Sequence, residues 1–189
     1  VENATVAHLT QVARLFRETG IFVFTLGLTE AWRRKADGAV FPIAPGVVAA
    51  DIDMDAYEFV NFSYEEVRDD LAAFISDLRA INPQMKLVLT VSPVPLVATY
   101  EKRHVLTSTV ASKSILRAVA DDAERRYHDV LYFPSYEIIT MSANRGAYYA
   151  DDLRSVKSEG VDHVMRAFLA TCTEFESTVP ESGDETAGA

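Results

Sequence analysis

Three short apolar runs stand out along the chain, at residues 21–26, 87–91 and 129–133. Each is too short for a helix and is rich in β-branched and aromatic residues, which predicts strands buried on both faces of a sheet. Between them apolar residues recur at helical spacing. Val6, Leu9, Val12, Ala13 and Phe16 predict a first helix from a cap at Asn3 to about residue 18, ended by Gly20. The clearest helix opens on Ser63, where Glu66 three residues on completes a capping box. Its stripe is Tyr64, Val67, Leu71, Phe74, Ile75, Leu78 and Ile81, with Asp69, Asp70, Asp77 and Arg79 on the wet side, and Asn82-Pro83 stops it. A third helix is expected over 112–127, with Ile115, Leu116, Val119 and Ala123 inward. A last one, over 158–170, should bury Val161, Val164, Met165, Phe168 and Leu169.

A helix followed by three strand-helix units is the pattern of an α/β fold with a parallel sheet and right-handed crossovers. Residues 33–61 interrupt it. Asp37-Gly38 is a turn signal, Pro42, Pro45 and Gly46 are breakers, and no period is sustained, so the segment reads as a long excursion with at most short strands near 40–43. Excursions of that length in a compact domain are either functional or poorly ordered.

Open α/β sheets place ligands beyond the C-terminal ends of their strands, and the polar residues of this chain gather there. After the first strand come Gly27, Thr29 and Glu30; after the second, Ser92, Thr99, Arg103 and His104; after the third, Ser135, Tyr136 and Glu137. Further on, a tyrosine-rich loop leads to Asp151, Asp152 and Arg154. His104 is the candidate base, since imidazole titrates near neutral pH, although exposed loop histidines are often incidental. Gly27 and Thr29 could offer an N–H and a hydroxyl to an oxyanion, or could simply form a tight turn. Asp152 could orient a base, while Asp151 and Arg154 could simply pair on the surface. Ser92 lacks a Gly-x-Ser-x-Gly elbow and reads better as a turn serine. Ser112-Lys113 reads as a cap and a cation at a helix start, where a lysine opposes the helix dipole and calls for an anion such as Glu137.

Composition narrows the classes. The 189 residues are 49% hydrophobic without a compositional break, which predicts one domain over 1–171 and an acidic, disordered tail over 172–189. A formal net charge of −10 argues against nucleic acid as a partner. One cysteine, Cys172, allows no internal disulfide, and no apolar run reaches membrane length; the chain starts at Val1 without a signal-peptide pattern, so upstream sequence is expected to have been trimmed or removed, and the cytoplasm is the compartment expected by default. No metal, dinucleotide or P-loop motif is present, so no cofactor is expected.

Seven segments together resemble a known family: TLGLTEAW at 25–32, NFSYEEV at 61–67, LTVSPVPLVAT at 89–99, RHV at 103–105, SKSILRA at 112–118, YFPSYEI at 132–138 and DLRSV at 152–156. In this order they resemble the GSCFA family, which sits with the SGNH (GDSL-like) hydrolases, over about residues 21–169. The resemblance implies a three-layer, flavodoxin-like α/β sandwich that hydrolyses or transfers an acyl group on an ester of a carbohydrate or other small polar molecule. It also implies a nucleophile after an early strand, an oxyanion-binding Gly and Asn, and a late Asp-x-x-His pair. Three positions depart from that pattern. The family's N-terminal signature is not in this sequence, Thr29 stands where an amide is expected, and Ser155 stands where the histidine is expected. The resemblance and the strand-end residues together leave as candidates His104 and Asp152 for catalysis, with Gly27, Thr29, Glu30, Ser92, Arg103, Glu137 and Arg154 around the substrate. The competing expectation is a noncatalytic binding or scaffold module on the same fold. Without the signature's strand, residues 21–26 would lie at an exposed sheet edge open to self-association.

Overall fold

The computed structural model describes residues 2–47 and 52–175 and divides into two compact units, residues 1–136 and 137–189. In the first unit, helix α1 (Glu2–Glu18) leads into strand β1 (Ile21–Leu26). An antiparallel excursion follows: β2 (Glu30–Arg34), β3 (Val40–Phe41), a 3-10 turn at Met54–Ala56 and β4 (Tyr57–Asn61). Then come α2 (Tyr64–Ile81), β5 (Lys86–Val91), α3 (Val105–Arg126) and β6 (Val130–Tyr132). The chain continues through α4 (Ser135–Thr140) and a 3-10 turn at Ser142–Asn144 to α5 (Ser158–Phe175).

The three expected strands form one parallel sheet in the order β1-β5-β6, with Ile21 opposite Lys86, Leu26 opposite Val91, and Leu89 opposite both Phe24 and Tyr132. A parallel sheet flanked by helices makes the fold mixed α/β, consistent with a three-layer sandwich. Leu87, Leu89 and Val91 of the central strand pack with Leu26, Val130 and Tyr132 against Leu71, Ile75 and Leu78 of α2 and Leu116, Val119 and Ala123 of α3. β5 is covered because a strand flanked on both sides presents only apolar residues inward. β1 is an edge: Ile21 and Val23 are more than two-fifths exposed, while Phe22 and Phe24 stack with Phe16 and Phe74 on the other face.

Helix α2 forms as its sequence dictates. Ser63 Oγ accepts from the Glu66 N–H at 3.2 Å, and the Glu66 carboxylate accepts from the Ser63 N–H at 2.8 Å. Helix α3 starts seven residues earlier than its apolar stripe predicts, because its first two turns bury Ser108 and Ser112 rather than aliphatic side chains. Ser112 and Lys113 are thus interior residues, not a helix start. The excursion also corrects the expectation of little structure over 33–61: β3-β2-β4 is a three-stranded antiparallel sheet. Its first hairpin is closed by the Asp37-Gly38 turn, with Gly38 at φ 74°. β3 falls within the short strand expected near 40–43, whereas β2 and β4 escaped prediction because Glu30, Arg33, Arg34 and Glu58 break any apolar run.

In the second unit, α5 extends beyond residue 170 to Phe175, and residues 176–189, most of the expected tail, lie outside the described residues. Val161, Met165 and Leu169, expected to be buried, are exposed, and only Val164 and Phe168 of that stripe are half-buried. The same holds for α1, where Val6 and Leu9 are exposed. Helical period predicted the helices correctly, but both stripes are wider than the surface that covers them. Gly160 is hemmed in at 3.0 Å by Ile139, Tyr148 and Val156, so a larger residue would not fit where α5 begins.

Candidate functional site

The turn after β1 is fixed from three directions. Ser92 N–H donates to the Leu26 carbonyl at 2.9 Å, closing the parallel ladder. From α3, Lys113 Nζ donates to the Gly27 carbonyl at 2.9 Å, and Ser112 Oγ accepts from the Thr29 N–H at 2.9 Å. From β4, the Phe62 N–H donates to the Thr29 carbonyl at 2.9 Å, and Asn61 Oδ1 accepts from Thr29 Oγ1 at 2.7 Å. Thr29 is 2% exposed and every polar atom it has is engaged. Thr29 is therefore a latch that ties the turn after β1 to β4 through its hydroxyl and to α3 through its N–H, and the hydroxyl has no hydrogen left for an oxyanion.

A polar chain runs on from Asn61. Its Nδ2 donates to Glu101 Oε1 at 3.0 Å, the Glu101 N–H donates to Thr99 Oγ1 at 3.0 Å, and Thr99 Oγ1 donates to Glu30 Oε1 at 2.6 Å. Ser108 Oγ lies 3.1 Å from Thr99 Oγ1 and accepts from Arg103 Nε at 2.9 Å. Glu30, Thr29 and Arg103 are thus brought into one network, together with Asn61, Thr99, Glu101, Ser108 and Ser112. Asn61 was visible in the sequence only inside the segment NFSYEEV, without a role of its own, and Ser112-Lys113 read only as a cap and a cation at a helix start.

Lys113 is the largest fully buried side chain, and burial alone pushes its amine down to about 8. No carboxylate of the first unit pairs with it among the described residues; its hydrogen bond goes to the Gly27 carbonyl. Desolvation disfavours the ammonium, and a carbonyl oxygen offers it partial compensation.

Gly27, unlike Thr29, keeps a free donor among the described residues. Gly20 and Leu26 turn their carbonyls to β5, so the odd-numbered residues of β1 and Gly27 turn their N–H groups to the open side. The Gly27 N–H makes no hydrogen bond among the described residues, and a side chain built on Gly27 would meet nothing within 4 Å. Gly27 lines an open groove of about 360 Å³ together with Phe24, Phe62, Val67, Leu71 and Phe74.

The remaining candidates have local partners. His104 is the exposed N-cap of α3, its Nδ1 accepting from the Leu106 N–H at 3.2 Å. Ser92 Oγ accepts from the Val94 N–H at 3.3 Å, as a turn serine does. In the second unit, the Asp152 carboxylate accepts from the N–H groups of Arg154 and Ser155 at 2.9 and 2.8 Å and from Ser155 Oγ at 2.5 Å. These bonds, that to the Ser155 hydroxyl foremost, hold it well below the usual carboxylate range, at about 2. Leu153 between them adopts φ 53°, so the carboxylate holds together a strained loop. Glu137 sits in the first turn of α4. Among the described residues no serine is paired with a histidine: His163 bonds Tyr148 Oη at 2.7 Å, and His128 neighbours Asp129. Nor do three metal-ligating side chains gather among them.

The sequence model of the GSCFA family matches residues 1–168 of the chain. The chain belongs to the GSCFA family. No curated protein matches it. Membership gives the Gly27–Trp32 turn, the Asn61 segment and the Ser112-Lys113 segment a shared context, since the residues that carried the resemblance are those that lock onto one another in the first unit. No described helix is long and apolar enough to cross a membrane.

Proposed function

We propose that this GSCFA chain provides the oxyanion-binding edge of an SGNH-like acyl hydrolase or acyltransferase acting on an ester of a carbohydrate or other small polar molecule. The observation that carries this reading is the unpartnered Gly27 N–H, on a turn immobilised by Lys113 and Ser112 and opening on a groove at the C-terminal end of β1. A fixed N–H donor at such a place stabilises the charge that develops on a carbonyl oxygen, an effect of about 3 kcal/mol per well-aimed donor. Acyl transfer also needs an activated nucleophile, and among the described residues no serine has a histidine to deprotonate it.

A panel of p-nitrophenyl esters tests this on the chain as it stands and on the chain joined to the family's GSCFA signature segment. Turnover is expected only in the second, and Gly27→Pro, which removes the N–H, should lower its kcat by about two orders of magnitude. Turnover by the chain alone, lost on changing Ser92 to Ala, would show that the nucleophile lies at Ser92. A second reading, a binding module without chemistry, is favoured by Asp152, whose carboxylate closes on Ser155 where the related hydrolases hold a histidine. Absence of turnover in both proteins would decide for it.

A further inference from the structure

We propose that the outer face of the antiparallel sheet is a carbohydrate-binding platform, with the exposed Tyr100 stacking on a sugar ring, Trp32 and Phe59 bracing it and flanking the sugar, and Glu30 and Glu101 accepting from its hydroxyls. The inference rests on the acyl-ester reading for its place in function, since it names the substrate class, but its geometry stands apart. Trp32 and Phe59 are directly opposed on β2 and β4, so both project from the same face. Their ring centroids are 6.0 Å apart, and Tyr100, from the loop after β5, lies 4.8 Å from Trp32 at 90° and 5.5 Å from Phe59. Tyr100 is 60% exposed, and Trp32 and Phe59 are half-buried. The opposite face of β2 carries Ala31, which is buried. Three large rings on the face that is not the core, one mostly in solvent, form an apolar patch of the kind that marks an interaction site.

The rim chooses the occupant. Glu30 is two residues before Trp32 on the same face, and Glu101 follows Tyr100; each uses one carboxylate oxygen within the network and leaves the other without a partner among the described residues. Unpaired carboxylate oxygens accept hydrogen bonds and repel phosphates, which together with the net charge of −10 disfavours a nucleic acid. A purely apolar partner would strand those acceptors. A pyranose meets both demands: the C–H bonds of one ring face carry the small positive charge that a π face attracts, and its equatorial hydroxyls donate at the rim.

Trp32 is the only tryptophan of the chain, so its fluorescence reads the platform directly. The intact chain is titrated with cellohexaose, xylohexaose, laminarihexaose and chitohexaose, and with a dT oligonucleotide, to about 10 mM, the range of weak single-site binding. At least one oligosaccharide should shift the emission saturably. Tyr100→Ala should weaken that binding about tenfold, as loss of one ring contact does, and Glu101→Gln should weaken it while leaving the melting temperature unchanged. No saturable shift with any sugar, a tighter response to the oligonucleotide, or full affinity in Tyr100→Ala would overturn the proposal. Binding is read without turnover, so sugar binding in a chain that hydrolyses no ester refutes the catalytic reading alone, and hydrolysis without sugar binding refutes the platform alone.

Discussion

Lys113 Nζ donates to the carbonyl oxygen of Gly27 at 2.9 Å from a side chain only 2% exposed. The amine is held at about 8, below its ordinary 10.5, because burial penalises the charged form. Between those two values the unfolded chain binds a proton that the folded chain has released, so stability should rise as pH climbs from about 8 to about 10.5. Below pH 8 both states are protonated and the penalty is constant. Lys113→Met should abolish that portion of the rise. Urea midpoints of the two proteins at pH 7, 8, 9 and 10 measure it, and parallel pH profiles would contradict the burial of a charged amine at this place.

Thr29 behaves as structure where the family resemblance suggests chemistry. Thr29→Val keeps the shape and removes the donor to Asn61 Oδ1, leaving a part-buried amide oxygen unpaired. The expected loss is about 1–3 kcal/mol of unfolding free energy, the cost of stranding a buried acceptor. Thr29→Ser should recover most of it. In a protein that does turn over esters, the Val variant should change Tm more than kcat; a large fall in kcat at unchanged Tm would return Thr29 to the oxyanion site.

How far the sequence foretold this molecule depended on whether a residue's neighbours were apolar. The strands at 21–26 and 87–91 and the capping box at Ser63 were legible because burial and capping leave a local signature. Strands β2 and β4 were not, since each exposes charged residues and depends on its partner across the sheet. Lys113 was misread for a related reason: beside Ser112 it looks like a solvated cation at a helix start, and only the approach of α3 to the Gly27 turn, 86 residues away in the chain, shows it as buried. Glu30 could be placed at a strand end, but its link through Thr99 to Glu101 joins loops that no periodicity connects.

Asp152 and Ser155 form a self-contained clasp. The carboxyl of Asp152, depressed to about 2 chiefly by the Ser155 hydroxyl, should remain ionised well below the usual carboxylate range, and the clasp should be lost only as pH falls through about 2. Side-chain carbon shifts followed by NMR from pH 5 to 1.5 would give its midpoint. Ser155→Ala should move that midpoint up toward 3.8. An unshifted midpoint in the variant would mean that the backbone N–H groups of Arg154 and Ser155 hold the charge without the hydroxyl.

The open side of β1 bears most directly on how the protein behaves in solution. Parallel pairing to β5 uses the N–H and C=O groups of alternate residues, so those of Ile21, Val23 and Thr25 face outward. Native edges are usually blunted by a lysine, a proline or a bulge, and IFVFTL has none of these. A second copy offers the same uncharged row, and two such edges can pair about a two-fold axis with Val23 opposite its counterpart. Association that increases with protein concentration is therefore the expected behaviour. Val23 is 47% exposed, so Val23→Lys adds a charge at the edge without entering the core, and should shift a sizing-column profile toward the monomer at the same concentration. Leu28→Lys, beyond the strand and also exposed, is the control for added charge alone. If both substitutions act equally, or neither acts, the copies do not meet through this edge.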